Sequence, residues 1–196
     1  TTELIDAMRG MSFSSRDTAN AADIFQRMMN DKECSVILTL AGSTSAAGCM
    51  QVYVDMVKNK MVDCIVSTGA SIIDMDFFEA LGFKHYKGTP FIDDKYLRSN
   101  YVDRIYDTYI DEEELQNCDA TIKMVADSLE PRPYSSREFI WELGKWLSEG
   151  NAKKKDSLIQ TCYENNVPIF VPACSDCSAG FGWGMHQVAN PEKHLS

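Results

Sequence analysis

The stretch VDCIVSTGASIIDMD, residues 62–76, decides the fold class. It begins with an apolar run, 62–67, of the kind that forms a buried strand. Small residues follow over 67–71, and two carboxylates, Asp74 and Asp76, come next. A buried strand that ends in a small-residue turn is typical of α/β proteins, where the turn lets a ligand approach the backbone. The same pattern also occurs where nothing binds, so the rest of the chain has to decide.

Two further apolar runs repeat this arrangement. Residues 35–40 precede the small residues 42–48, and residues 167–172 precede the small and polar residues 173–180. Helical spacing follows the run 35–40, and a helix from Asp76 to Leu81, stopped at Gly82, follows the run 62–67. This alternation predicts an α/β fold, a doubly wound, Rossmann-like parallel sheet with flanking helices. The three strands would end at one edge of the sheet, where ligands bind in such folds.

The remaining segments predict helices around one irregular stretch. Apolar spacing indicates a helix over 20–29, with a cap supplied by 14–17, and others over 113–129 and 157–165. Ser135 to Glu138 has the spacing of a capping box that opens one more helix. The lysines at 153–155 are interpreted as a solvated helix start. Residues 84–109, rich in tyrosine, are interpreted as a long, packed excursion.

Composition limits the classes of function. The 196 residues favour a single domain over 1–196. The net charge is −10, from 29 acidic and 19 basic residues, which argues against nucleic acid as a partner. An acidic surface attracts polyamines or a basic protein, although solubility accounts for the charge equally well. No apolar run reaches the ~20 residues that span a bilayer. Seven cysteines without a secretory leader predict reduced thiols and a cytoplasmic protein.

Motif searches leave several interpretations open. Neither GxGxxG nor a P-loop is present, and no hydrolase arrangement is evident. The CxxC at 174–177 lacks a second pair, so it is interpreted as small residues at a strand end, with no metal. His186, near Trp183, is either a buried histidine with partners or a polar group in a ligand pocket. Asp76 is either a helix N-cap or a carboxylate that binds ribose hydroxyls or an ammonium group. Asp74 and Asp176 are candidates for the same binding role.

Three segments resemble one known family. Deoxyhypusine synthases have segments that resemble NKMVDCIVSTG at 59–69, PIFVPACSD at 168–176, and the pair YLR at 96–98 with DRI at 103–105. The resemblance implies NAD contacts at Gly42, Ser43, Thr44, Ser45, Ala46, Thr68, Gly69, Ala70 and Asp176. It also implies substrate contacts at Asp74 or Asp76, between which the register is open, and at His186.

The resemblance further implies the chemistry. In that family NAD takes a hydride from spermidine, an enzyme lysine receives the imine, and an acceptor amine receives the butylamine group. The acceptor would be a lysine of a basic translation factor or a free diamine. A cytoplasmic homotetramer is expected, with 96–109 and the Trp183 region as candidate interfaces.

Two departures from the family pattern keep alternatives open. Phe181 stands where the family has a carboxylate for an amine of spermidine, so a changed polyamine is expected. The family's catalytic lysine lies in a segment beyond the end of this chain, which corresponds to the N-terminal part of the family domain. A non-catalytic NAD-binding subunit or paralogue, a homospermidine synthase-type enzyme and an unrelated NAD oxidoreductase are the rival interpretations.

Overall fold

The computed structural model describes residues 1–195. Residues Thr1–Ile37 form one compact unit, and the chain from Leu38 onward forms a second. The single domain expected over 1–196 stays a prediction, and Ser196 lies outside the described residues. None of the helices within residues 1–195 has both the length and the apolar character needed to cross a membrane.

The first unit is a helical hairpin. Helix α1 spans Thr2–Met8 and helix α2 spans Ser14–Asn30, and Arg9 pairs with Asp23 across the turn, with Nη2 at 2.7 Å from Oδ1. Helix α2 begins at Ser14, so residues 14–17 form its first turn and the predicted cap is wrong. The N-cap is Phe13, whose side chain supplies no capping bond.

The second unit is built on a three-stranded sheet. Its strands are β1 (Ile37–Leu40), β2 (Cys64–Ser67) and β6 (Ile169–Phe170), in the order β1-β2-β6. Strands β2 and β6 run parallel, with Ile65 opposite Ile169. The α/β fold with a parallel sheet and flanking helices is therefore confirmed. Strand β6 is shorter than its apolar run, in which Pro168 and Pro172 have no N–H to donate to a ladder.

Seven helices accompany the sheet in the described part of the second unit. They are α3 (Met50–Lys58), α4 (Phe78–Ala80), α5 (Asp94–Ser99), α6 (Glu112–Ser128), α7 (Ser136–Trp146), α8 (Leu158–Glu164) and α9 (Ala179–Ala189). π-helical turns Ser45–Cys49 and Ala70–Phe77 lead into α3 and α4, and another, Leu147–Asn151, follows α7.

Three helix predictions are confirmed and two need correction. Helices α6, α7 and α8 lie where expected, and the capping box of Ser135 with Glu138 is complete. The lysines at 153–155 lie outside helix α8, which begins at Leu158 with Ser157 as its cap. Helix α9 is unexpected, because its run of glycines has low helix propensity and conceals the helix in the sequence.

The helical segment after β2 begins six residues earlier than predicted. It starts at Ala70, with Gly69 as its N-cap, and continues through Phe77 into α4. Asp74 and Asp76 therefore lie inside this segment, and both are buried. The interpretation of Asp76 as the N-cap of its own helix is wrong.

The excursion over 84–109 forms a second, antiparallel sheet. Its strands are β3 (Tyr86–Lys87), β4 (Val102–Ile105) and β5 (Thr108–Asp111), in the order β3-β5-β4. Its aromatic side chains are mostly exposed, from Tyr86 at 50% to Phe91 at 93%. The description as a packed excursion is therefore wrong: the region presents its aromatic residues to solvent.

Candidate functional site

The loops that follow β1 and β2 are joined to each other. The Ser45 hydroxyl donates to the Ser71 carbonyl at 2.9 Å, and the Ser71 hydroxyl donates to the Gly42 carbonyl. The Thr68 amide also donates to Leu40 O, at 3.3 Å. The two segments predicted to contact NAD, 42–46 and 68–70, therefore form one rigid edge at the carboxyl ends of adjacent strands.

Gly69 brings the third loop to the same edge. A Cβ atom at this position would lie 2.5 Å from Cys177 Sγ and 2.7 Å from Cys177 Cβ, closer than carbon contacts allow. The sequence predicts that this glycine lets a ligand approach the backbone, and in the structure atoms of Cys177 lie against the same position. Asp176, one residue before Cys177, is exposed beside this contact.

The CxxC cysteines are free thiols. Cys177 Sγ donates to the Cys174 carbonyl at 3.0 Å. Burial raises the pKa of both thiols to about 12, so both are protonated at neutral pH. Reactive and metal-binding cysteines are thiolates, and this geometry supports the interpretation of the pair as packing residues.

Asp74 binds the start of helix α9. It accepts hydrogen bonds from the Ser178 amide at 3.1 Å, from the Ser178 hydroxyl at 2.8 Å and from the Ala179 amide at 3.4 Å. Its side chain is buried, and burial raises the pKa of its carboxyl despite these bonds.

A second carboxyl, Asp119 on α6, faces the same serine and was missed in the sequence analysis. Ser178 Oγ lies 3.3 Å from Asp119 Oδ1. Burial first, and the nearby Asp74 second, raise the pKa of Asp119 to about 7. A protonated Asp119 can donate to Ser178 Oγ while that hydroxyl donates to Asp74. The signal was available, because Asp119 falls on the buried stripe of α6 with Cys118, Ile122, Val125 and Ala126.

Asp76 points to a different helix. Its two oxygens accept from the Leu158 and Ile159 amides, each at 2.8 Å, so it satisfies N–H groups at the start of α8. The side chain is 2% exposed, and burial raises its pKa to about 7. Of the two carboxylates predicted for substrate, Asp74 lies with the β6 loop, and Asp76 is enclosed beneath α8.

His186 is buried with both ring nitrogens engaged. Nδ1 lies 2.6 Å from Asp127 Oδ1, and Nε2 lies 3.0 Å from the Lys193 carbonyl. The ring borders a cavity of about 510 Å³ that Trp183 also lines. This geometry supports the interpretation of a buried histidine that ties α9 to α6.

Phe181 lies in the first turn of α9 with 71% of its surface exposed. Its amide donates to the Ser178 carbonyl at 2.8 Å, which places it one turn beyond the serine that Asp74 binds.

The β1 loop has features that suit a dinucleotide. Its residues are small, which allows close approach to the backbone. Thr44 Oγ1 is buried without a hydrogen-bond partner among the described residues. Such a hydroxyl is uncommon in a folded protein.

Comparisons with known proteins agree on one family. A family model described as deoxyhypusine synthase matches residues 3–196. A "Deoxyhypusine synthase-like protein" of Caulobacter vibrioides is 70% identical over 184 residues, covering 94% of this chain and 50% of the relative. One of the same description from Coxiella burnetii is 64% identical over 193 residues, covering 98% and 55%. A "Probable deoxyhypusine synthase 2" of Methanosarcina mazei is 41% identical over 180 residues, covering 92% and 52%.

A solved structure supports the same fold. The crystal structure of "a putative deoxyhypusine synthase" from Entamoeba histolytica has a TM-score of 0.70 and 19% sequence identity to this chain. The match covers 100% of this chain and 65% of that one. At that identity the likeness concerns the fold alone. The chain spans about half the length of the curated relatives it matches.

Proposed function

This chain belongs to the deoxyhypusine synthase family, and on that premise we propose an NAD-dependent aminobutyl transferase. The protein transfers the 4-aminobutyl group of spermidine, or of a related polyamine, to a lysine or to a free amine. Because the chain spans about half of its relatives, the activity, the acceptor and the assembly of the whole protein all belong to this proposal. A cytoplasmic homotetramer and a basic translation factor as acceptor are proposed on the same family basis.

The observation that carries the proposal is the pair of buried carboxyls, Asp74 and Asp119. They are 8% and 7% exposed and share one hydroxyl, and neither forms an ion pair with Lys or Arg in the part of the chain that the structure describes. A buried carboxylate without a counter-charge is costly. The ammonium group of a polyamine would supply that charge, and the net charge of −10 would attract a polycation from solution.

The cofactor would lie along the joined loops after β1 and β2. Residues 42–46, Thr68 and Ala70 offer small side chains there, which let the cofactor approach the backbone. Asp176 is exposed on the third loop, where a carboxylate can bind ribose hydroxyls. When bound, NAD supplies a hydride acceptor that later returns the hydride.

Phe181 is proposed to set the choice of polyamine. The family resemblance places a carboxylate for an ammonium group at this position, and an aromatic ring cannot replace that charge. Phe181→Asp is expected to increase the use of spermidine relative to the native polyamine. Equal use of spermidine before and after the substitution would show that position 181 does not select the substrate.

The experiment is to add NAD and a panel of polyamines to the purified protein and to measure NADH formation by absorbance. We expect NADH to form only when a polyamine is present, and we expect Asp74→Asn to abolish it. Glu113→Gln is the matched control, because it removes an exposed carboxylate from α6, the helix that carries Asp119.

Two outcomes would contradict the transferase. Failure of every polyamine to reduce NAD, in a protein that binds NAD, would favour the non-catalytic NAD-binding subunit. Full activity in Asp74→Asn would remove the carboxyl pair from the proposed substrate site.

A further inference from the structure

One hydroxyl group, that of Ser178, lies between the two buried carboxyls of the candidate site. Ser178 Oγ is 2.8 Å from Asp74 Oδ1 and 3.3 Å from Asp119 Oδ1. A serine hydroxyl has a single proton to donate. The shorter distance assigns that proton to Asp74, so a hydrogen bond between Ser178 and Asp119 needs a proton on Asp119 itself.

The hydrogen-bond donors around the two carboxyls differ in the same sense. Asp74 accepts from the amide and the hydroxyl of Ser178 and from the Ala179 amide, at the start of α9, where the helix dipole favours negative charge. Among the described residues, Ser178 Oγ is the one hydrogen-bond partner of the Asp119 side chain. Bonds donated to a carboxylate favour its charged form. The geometry therefore makes Asp74 the ionised member of the pair and Asp119 the protonated member.

The groups that surround Asp119 do not favour its ionisation. They are carboxyls and thiols: Asp74, Glu112, Cys118 and Cys177. Burial raises the pKa of both thiols, so they carry no charge at neutral pH. Lys123 lies one turn further along α6, but its Nζ pairs with Asp127 Oδ2 at 2.5 Å, and His186 of α9 contacts the same carboxylate. Burial first, and the charge of Asp74 second, raise the pKa of Asp119 to about 7.

We propose that Asp119 is a positioning residue, which through Ser178 holds Asp74 in the charged form that binds an ammonium group of the substrate. When the ammonium group binds, its positive charge favours a second carboxylate, and Asp119 releases its proton to solvent. The inference rests on the polyamine substrate of the proposed function, and it gives the two carboxyls different roles.

The direction of the pH dependence follows from this assignment. Below a pH of about 7 the free protein holds a proton on Asp119 that the complex releases, so the affinity for a polyamine rises with pH and levels off above that value. Asp119→Asn imitates the protonated acid, because its amide can donate to Ser178 Oγ but cannot ionise. This variant should therefore bind a polyamine with an affinity that does not change over the same range.

Calorimetric titration of the purified protein with spermidine and with putrescine tests the assignment. Titrations in two buffers of different ionisation enthalpy give the number of protons released on binding. At about pH 6, wild type should release up to about one proton more than Asp119→Asn, and its affinity should rise about tenfold between about pH 6 and about pH 8. Since both proteins bind the same polyamine, protons lost from the ligand cancel in the comparison.

Variants of Ser178 test the link between the carboxyls. Ser178→Ala removes a hydrogen bond to a charged group and should weaken polyamine binding about tenfold. Ser178→Thr keeps the hydroxyl and should restore the wild-type affinity. Glu113→Gln is the matched control for Asp119→Asn, because it neutralises an exposed carboxylate of α6 and should keep the wild-type release of protons.

The possible failures are distinguishable. Equal proton release by wild type and Asp119→Asn, with the polyamine bound by both, would overturn the inference and leave the proposed function intact. A loss of affinity in Asp119→Asn by the same factor at every pH would likewise overturn it, since a purely structural role predicts that result. A wild type that binds neither polyamine would overturn both the inference and the proposed function.

Discussion

The edge of the parallel sheet and the antiparallel sheet use polar and aromatic residues in opposite ways. At the parallel edge, Asp74 and Asp76 are buried, and their oxygens accept amides from the first residues of α9 and α8. In the antiparallel sheet, Tyr106 is exposed and its backbone is strained. Asp74 and Asp76, which the sequence identifies as candidate binding residues, therefore also hold two helices to the core. Four tyrosines of the excursion, which was interpreted as packed, are instead exposed: Tyr86, Tyr96, Tyr101 and Tyr106.

The largest effect is expected where β2 meets the third loop. Gly69→Val would place a side chain within the space of Cys177, and we expect it to lower the free energy of unfolding by about 3 kcal/mol or more. Urea unfolding measures this loss, and NAD binding should disappear with it. Gly184→Ala is the control, because a Cβ there meets no atom within 4 Å and alanine favours the helix. Recovery of stability in Gly69→Ala with Cys177→Gly would confirm the contact, whereas an unchanged Gly69→Val protein would contradict it.

Asp76 should matter more than Ser157, the buried hydroxyl cap of the same helix. Asp76→Ala leaves two buried amides of α8 without acceptors, so we expect a loss of about 2–4 kcal/mol. Ser157→Ala removes the cap of the same helix through one hydroxyl and should cost about 1 kcal/mol. Equal losses in the two variants, measured by denaturant unfolding, would show that Asp76 adds nothing beyond an ordinary cap.

The Asp74–Asp119 pair should make stability depend on pH. The raised pKa of Asp119, about 7, means that the folded protein keeps a proton that the unfolded chain releases near pH ~4. Its contribution is therefore complete below pH ~4 and is lost as the pH rises towards about 7. Unfolding measured across this range should show Asp119→Asn gaining up to about 4 kcal/mol relative to wild type as the pH rises from ~4 to about 7. A difference between the two proteins that does not vary with pH would mean that Asp119 has an ordinary pKa.

The smallest effect is expected in the antiparallel sheet. Glycine adopts a positive φ without strain, so Tyr106→Gly and Tyr101→Gly should each raise the free energy of unfolding by up to about 1 kcal/mol. The two substitutions should resemble each other in thermal unfolding. A clear loss of stability in Tyr106→Gly alone would mean that the Tyr106 ring packs against the fold although it is exposed.

The outlines of the fold could be predicted because they depend on local patterns. Apolar runs place β1, β2 and β6, and the capping box at Ser135 sets the start of α7. The errors occur where local signals conflict. Glycines conceal α9, and Asp76 resembles a cap although the helical segment begins at Ala70. Tyrosine suits both packing and exposure, so the sequence could not show which side of the excursion faces solvent.

The candidate site was predictable only in part. The small residues after each strand, and the carboxylate at Asp74, are visible in the sequence and agree with the family. Asp119 and Ser178 were not predicted as partners, because their contact forms only when the start of α9 packs against the buried stripe of α6.

The sequence by itself determined the three strands of the parallel sheet, the helices α6, α7 and α8, the small-residue loops, the acidic charge and the family, since each follows from neighbouring residues or from resemblance. Only the tertiary structure decided what each carboxylate binds. Asp76 meets Leu158 across 82 positions, and Asp74 meets Ser178 across 104. Contacts at such separations depend on how the strands bring distant segments together, and burial then sets the charge of those groups. Local sequence patterns therefore predict neither these contacts nor the charge of the buried groups.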